Sequence, residues 1–306
     1  MPEIFPVGGG KGGVGKSFIA ASLGALLAKQ GRKVVLIDLD LGASNLHTFL
    51  GIKNPKSGLD RYLSKKVTSL DRTATPTAVP NLFTITSLHC TLEIANLFFV
   101  QKQKIITAIR NLPFDSILLD LGPGTNYNTL DFFLTSNTGL LILTPELTSI
   151  ENSFRFIKAV YLRKLKQIIK QHAFNAAVKN AAAELNAGAS KTNDIITFVL
   201  QSDPGKKELL IDKLSQLKFK VILNLFKKTS DPNLGAKIVA VCNRHFYSRF
   251  EFLGNIRYCD GINDSAISNT LFVLQHPIAP ASIDLKEIVS KLNTRISTAS
   301  RAPAIS

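Results

Sequence analysis

Ten residues near the amino terminus, Gly8-Gly9-Gly10-Lys11-Gly12-Gly13-Val14-Gly15-Lys16-Ser17, restrict this chain more than any other stretch. They follow a short apolar run, Ile4 to Val7, and open an apolar segment of helical character, Phe18 to Ala28. A strand, a glycine loop and a helix in that order leave few folds open. Gly10, Gly15, Lys16 and Ser17 fit G-x-x-x-x-G-K-[ST], in which backbone N–H groups at a helix start wrap the phosphates of a nucleotide. Glycine supplies the close approach and the unusual backbone angles such a loop needs. The spacing therefore predicts that Gly10, Gly12, Gly13, Val14, Gly15, Lys16, Ser17 and Phe18 line a bound ATP or ADP. Lys16 would reach the β and γ phosphates, and the Ser17 hydroxyl would complete a Mg2+ shell.

The rest of the chain reads as strands alternating with helices, the pattern of a doubly wound, mostly parallel α/β sheet with helices on both faces. Lys33 to Asp38 and Ser116 to Asp120 are apolar runs closed by a carboxylate, as expected of parallel strands buried on both faces whose carboxyl ends carry the chemistry. Leu82 to Thr86, Leu140 to Thr144, Phe219 to Asn224 and Glu251 to Arg257 are further candidate strands. Helices are predicted over Leu46–Leu50, Leu59–Leu63, Glu93–Leu112, Tyr127–Thr135 and Asn233–His245, over Asp260–Asn269, and from Thr148 or Ser149, as cap, to about His172. Thr68 to Pro80 is the least structured stretch of the first half, and residues 173–215 suggest two or three helices, Ala176 to Ala189 among them. A last amphipathic helix carries Ile283, Leu285, Ile288, Val289, Leu292 and Ile296 and is expected to pack onto the sheet. The expected organisation is a single P-loop ATPase domain over 1–306 with a basic helical elaboration at about 151–215.

Charge is uneven. The chain carries a formal +15, of which residues 151–230 contribute +9 from 15 basic and 6 acidic side chains. Such a region suits an anionic surface, DNA or membrane, or an acidic protein partner; a solvated helical face is the competing reading. Three cysteines, Cys90, Cys242 and Cys259, are too few and too far apart for a disulfide framework or an iron-sulfur ligand set, and they suit a reducing cytoplasm. Neither a signal-peptide pattern nor an 18-residue apolar run occurs.

Three segments together resemble the deviant P-loop ATPases of the MinD/ParA family. Lys11-Gly12-Gly13-Val14-Gly15-Lys16-Ser17 resembles that family's loop, with its extra early lysine. Asp38-Leu39-Asp40-Leu41-Gly42-Ala43-Ser44-Asn45-Leu46 resembles its D-x-D-x-G-x-x-N segment, and Ile117 to Gly124 its Walker B and switch II. The resemblance is strong over about residues 3–158 and one of layout from about 215. It implies that Lys11 reaches across a dimer to the partner's nucleotide, Asp40 orients the attacking water, Asp38 or Asp120 holds magnesium-bound water, and Asn45 and Glu146 lie near the dimer seam. It also implies that Asn224 reads the adenine edge, against a plain strand-end turn. The expected function is an ATP-driven homodimerisation switch that acts on a protein partner, at the membrane or nucleoid periphery, and controls the position or number of a cellular structure.

Within the family, Gly42 to His47 and Thr144 to Asn152 resemble the FlhG/FleN branch, which regulates flagellar number and placement. Members of that branch usually have an N-terminal extension, whereas this chain reaches its loop by residue 8. That departure bears on the flagellar role and not on the ATPase role. A ParA-like partition ATPase holding DNA nonspecifically is the alternative, and a metal-cluster carrier is disfavoured because no C-x-x-C occurs.

Overall fold

The computed structural model describes residues 2–42, 44–55, 57–90, 99–172, 174–176, 178–180 and 192–293. Its frame is an eight-stranded sheet made of β1 (Glu3–Gly8), β2 (Val34–Leu39), β3 (Thr75–Pro76), β4 (Leu82–Ile85), β5 (Ser116–Leu121), β6 (Thr138–Leu143), β7 (Lys218–Phe226) and β8 (Arg249–Arg257). The strand order is β3-β4-β2-β5-β1-β6-β7-β8. Every pairing is parallel except that of β3 with β4. From the central β1 the chain first crosses to β2 on one side and later builds β6, β7 and β8 on the other. That reversal opens a crevice at the carboxyl end of β1, where the glycine loop lies.

The uninterrupted apolar runs have the expected cause. All six residues of β2 and of β5 are buried, because helices cover both faces. In chain order the described helices are α1 (Lys16–Lys29), α2 (Leu46–Phe49), α3 (Leu59–Leu63), α4 (Phe99–Arg110), α5 (Tyr127–Phe133), α6 (Leu147–Gln171), α7 (Thr192–Ser202), α8 (Lys207–Ser215), α9 (Leu234–His245), α10 (Gly261–Ile267), α11 (Phe272–Gln275) and α12 (Pro280–Asn293). On one face α1, α11 and α12 pack over Val34, Leu36 and Leu118; on the other α4, α5, α6 and α9 pack over Val35, Ile37, Ile117 and Leu119. α1 is buried from Phe18 to Ala28, which explains why its apolar residues run round the helix instead of forming a stripe.

α6 joins two cores. Phe156, Ile157 and Val160 belong to the sheet core. Tyr161, Leu165, Ile168 and Ile169 instead pack with Phe174, Val178, Val199, Leu210 and Leu214 in a small cluster of their own.

Several sequence expectations need correction. Thr68–Pro80 contains a 3-10 turn (Leu70–Thr73) and the edge strand β3, since Leu70 is buried and Thr75 pairs with Thr84. The helix expected from Glu93 is described only over Phe99–Arg110; residues 91–98 lie outside the described residues, as do most of Ala176–Ala189 and Ile296. Neither Thr148 nor Ser149 caps α6, which starts two or three residues earlier, with Glu146 at its cap position. Ser149 Oγ instead accepts the Thr144 backbone N–H at 2.9 Å and ties the strand end to the helix. In α12, Leu285, Ile288, Val289 and Leu292 are buried against the sheet, but Ile283 is exposed because it stands two residues off that i, i+3, i+4, i+7 face.

Candidate nucleotide site

The loop between β1 and α1 is built so that only glycine fits at its tightest points. A Cβ on Gly10 would stand 1.9 Å from the Asn152 carbonyl oxygen of α6, and one on Gly15 would stand 2.2 Å from Asn224 Nδ2. Gly13 and Gly15 have φ of 76° and 91°, in the left-handed region that glycine enters without strain. Gly15 then hands the chain to α1, whose first residue is Lys16. The first backbone N–H groups of that helix face the crevice without intrahelical partners, as at any helix start.

Lys16 is buried with its ammonium near Asp120 and Asp40, and its Nζ donates to the Lys11 carbonyl at 3.3 Å. Burial lowers its pKa, against the pull of the two carboxylates. Asp38 and Asp120 face each other in register at the ends of β2 and β5. The Ser44 hydroxyl (2.6 Å) and the Leu46 N–H (3.3 Å) donate to Asp38 Oδ2, and the Asp40 N–H (3.0 Å) donates to Oδ1. Burial still pushes Asp38 up to about 6. Asp120 is more exposed to this effect: burial first, then the neighbouring Asp38 charge, push it up to about 8, although Ser17 and Lys16 counteract. No hydrogen bond of ordinary geometry reaches either Asp120 oxygen among the described residues.

Asp40 stands against the turn after β5, since a Cβ on Gly122 would lie 3.0 Å from its Oδ1. Gly12 approaches Pro123 of the same segment. Asn224, at the end of β7, donates from Nδ2 to the Val14 carbonyl at 2.9 Å, so it supports the loop from below while its buried Oδ1 has no partner among the described residues. Lys11 points the other way. Its Nζ pairs with Glu146 at 2.8 Å and donates to Thr148 Oγ1 at 3.2 Å, at the start of α6, and this contact holds the Glu146 carboxyl below its ordinary range.

The structure thus brings Lys16, Asp38, Asp40, Asp120, Asn224 and the loop glycines to one crevice. The sequence assigned no role to Ser44 or the Asn152 carbonyl, and it offered Thr148 as a helix cap where the hydroxyl instead accepts from Lys11. Ser44 and Thr148 stood inside recognised segments, but a backbone carbonyl leaves no mark in a sequence. Among the described residues no three His, Cys, Asp or Glu side chains gather as a metal cluster, and burial pushes both Cys90 and Cys242 up to about 12.

The profile of the CobQ/CobB/MinD/ParA nucleotide binding domain matches residues 6–272. The chain belongs to that family. The septum site-determining protein MinD of Thermotoga maritima is 31% identical over 161 residues, 51% of this chain and 58% of that protein. The curated relatives are thus matched over only about half their length. MinD of Pyrococcus horikoshii, solved with Mg-ADP, superposes with a TM-score of 0.64 at 17% identity, over 99% of this chain and 100% of that one. A ParA family ATPase from Chlorobium tepidum superposes with a TM-score of 0.63 at 17% identity, over 95% and 99%. At such identities the structural likenesses speak for the fold alone.

The residues also fit a divalent cation. Two adjoining buried carboxylates, Asp38 and Asp120, beside the Ser17 hydroxyl form the hard oxygen donor set that Mg2+ accepts.

Proposed function

We propose that this chain is a Mg2+-dependent ATPase that works as a nucleotide-driven homodimerisation switch. The observation that carries the reading is the pairing of a glycine-only cradle with a buried Asp120 that stands beside Lys16 and opposite Asp38. Two buried carboxylates facing each other are costly, and a bound cation removes that cost. Phosphoryl transfer to water needs mostly positioning and charge neutralisation, so few groups suffice.

In this reading Gly10 to Ser17 wrap the phosphates with backbone N–H groups, and Lys16 neutralises the β and γ oxygens. Ser17, Asp38 and Asp120 would hold Mg2+ or its water, and the bound ion would supply charge neutralisation of the phosphates. Asp40 orients the attacking water. Asn224 meets adenine through Oδ1, which accepts the exocyclic amine, while its amide remains committed to the loop.

Lys11 is the switching residue. In one subunit it is held in cis by Glu146 and Thr148, and ATP dimerisation draws it to the partner's γ phosphate. Hydrolysis removes that phosphate and releases the dimer. We place the action in the cytoplasm, at the membrane or nucleoid periphery, on a protein partner that sets the position or number of a cellular structure, flagella being the assignment that Gly42 to His47 favours.

Light scattering with ADP, and with ATP and Mg2+, tests this. Wild type and Asp40→Ala should become dimers with ATP, and Lys11→Ala should remain monomeric. Indifference of all three to nucleotide would refute the switch.

The second reading is a ParA-like ATPase whose dimer holds DNA. It is favoured by the gathering of Lys164 with Lys213 and Arg110, where burial first and then these neighbouring cations lower the Lys164 pKa. Clustered cations of this kind suit a polyanion. DNA affinity falling steeply with salt, and only with ATP present, would support it.

A further inference from the structure

Behind the Asp40–Gly122 contact lies a second cavity of about 700 Å3, at the carboxyl ends of β2 and β5 and roofed by α4, α5 and α6. Its floor carries an unusual charge arrangement. Lys102 of α4 is 4% exposed and its ammonium meets Asp131 at 2.5 Å. Arg163 of α6 grips the same carboxylate through Nε at 2.6 Å and Nη2 at 2.8 Å, and its guanidinium lies over the Tyr127 ring at 5.0 Å.

Two cations thus share one carboxylate. The network keeps a net positive charge next to an empty space, although buried charge is stable only when compensated. Lys166, whose pKa is lowered by burial first and then by the neighbouring Arg163 charge, lies beside the network, and Lys170, 5.8 Å from the Phe99 ring at the rim, adds to the positive field. The acidic group in the wall is Asp40, at the opposite end, where Lys16 already draws on its charge. Asn126 and Thr129 contribute polar walls.

We propose that this cavity is a phosphate exit chamber, which receives the inorganic phosphate cleaved at the P-loop. The inference rests on the ATPase reading above. Asp40 and Gly122 form the partition between the two compartments, and Arg163, with donors left beyond those on Asp131, and Lys102 form the receiving end. A planar guanidinium and an ammonium at one site match a tetrahedral oxyanion. Retention there separates cleavage from product release and so sets how long the switch persists after chemistry.

The test uses the full chain loaded with ADP and Mg2+. Titration with inorganic phosphate should show binding that weakens at least tenfold in Arg163→Gln. Tyr127→Glu, which places a carboxylate over Arg163 from an exposed position, should weaken it equally, and Tyr127→Phe should not. ADP affinity should stay within twofold in all three. In single turnovers, the lag between acid-quenched cleavage and phosphate reaching a fluorescent sensor should shorten at least threefold in Tyr127→Glu. Absence of phosphate binding, binding indifferent to Tyr127→Glu, or an unchanged lag each overturns the chamber while leaving the ATPase standing. Absence of any cleaved phosphate in the quench overturns both.

Discussion

Asp120 occupies the end of a strand buried on both sides, faces another carboxylate, and lacks a hydrogen-bond partner of ordinary geometry. Its pKa, pushed up to about 8, lies well above the ordinary value of about 3.9 in an unfolded chain. Between those two values the folded protein holds a proton that the unfolded chain has lost, so stability falls as pH rises. The nucleotide-free protein should therefore melt at lower temperature at pH 8 than at pH 5, and Asp38, pushed up to about 6, adds the same sign over the lower part of that range. Asp120→Asn should flatten this dependence and raise the melting temperature at pH 8 by roughly 3–6 °C, measured calorimetrically with a chelator present. It should also abolish Mg2+-dependent hydrolysis, so stability and activity move in opposite directions. A second residue-scale expectation concerns Glu146. Its pairing with Lys11 competes with the dimer, so Glu146→Gln should lower the ATP concentration at which dimers form, by roughly two- to fivefold for a partly exposed pair.

At the scale of elements, the loop and α6 are fitted to each other. The Asn152 carbonyl takes the space a Gly10 side chain would need, and the helix start holds Lys11. Gly10→Ala should push the loop away from α6, cost about 1–3 kcal/mol by denaturant titration as overpacking does, and weaken ADP binding at least tenfold. α12 shows the usual reward for an amphipathic stripe. Leu285 is fully buried over β8, and Leu285→Ala should cost about 2–5 kcal/mol. Element types were legible because long apolar runs and 3.6-residue stripes report burial directly. The start of α6 was not, because Ser149 bonds to the strand end instead of capping the helix, a choice made by tertiary contact.

For the whole molecule, one sheet gathers residues from the entire length of the chain. Val14 and Asn224 touch across 210 positions, and Lys11 and Glu146 across 135. The crevice at β1 therefore serves as the joint between the first half and the last strands. Binding of nucleotide there should stabilise the whole fold: saturating Mg-ADP at about 100 times its dissociation constant adds roughly 2.7 kcal/mol, visible as a rise in melting temperature. Lys16→Ala should lose that rise while keeping its own transition cooperative.

By itself, the sequence determined the strand–loop–helix at residues 4–28, the two carboxylate-ended strands and the family resemblance, since glycine spacing and apolar runs are local requirements of backbone and burial. The tertiary structure alone decided which groups meet: Lys11 with Glu146 in cis, Asn224 beneath the loop, Asp38 opposite Asp120, and Lys102 with Arg163 on one carboxylate. Those pairings follow from sheet register and helix packing, and no short window of residues encodes the distance between chain segments brought together only when the core forms.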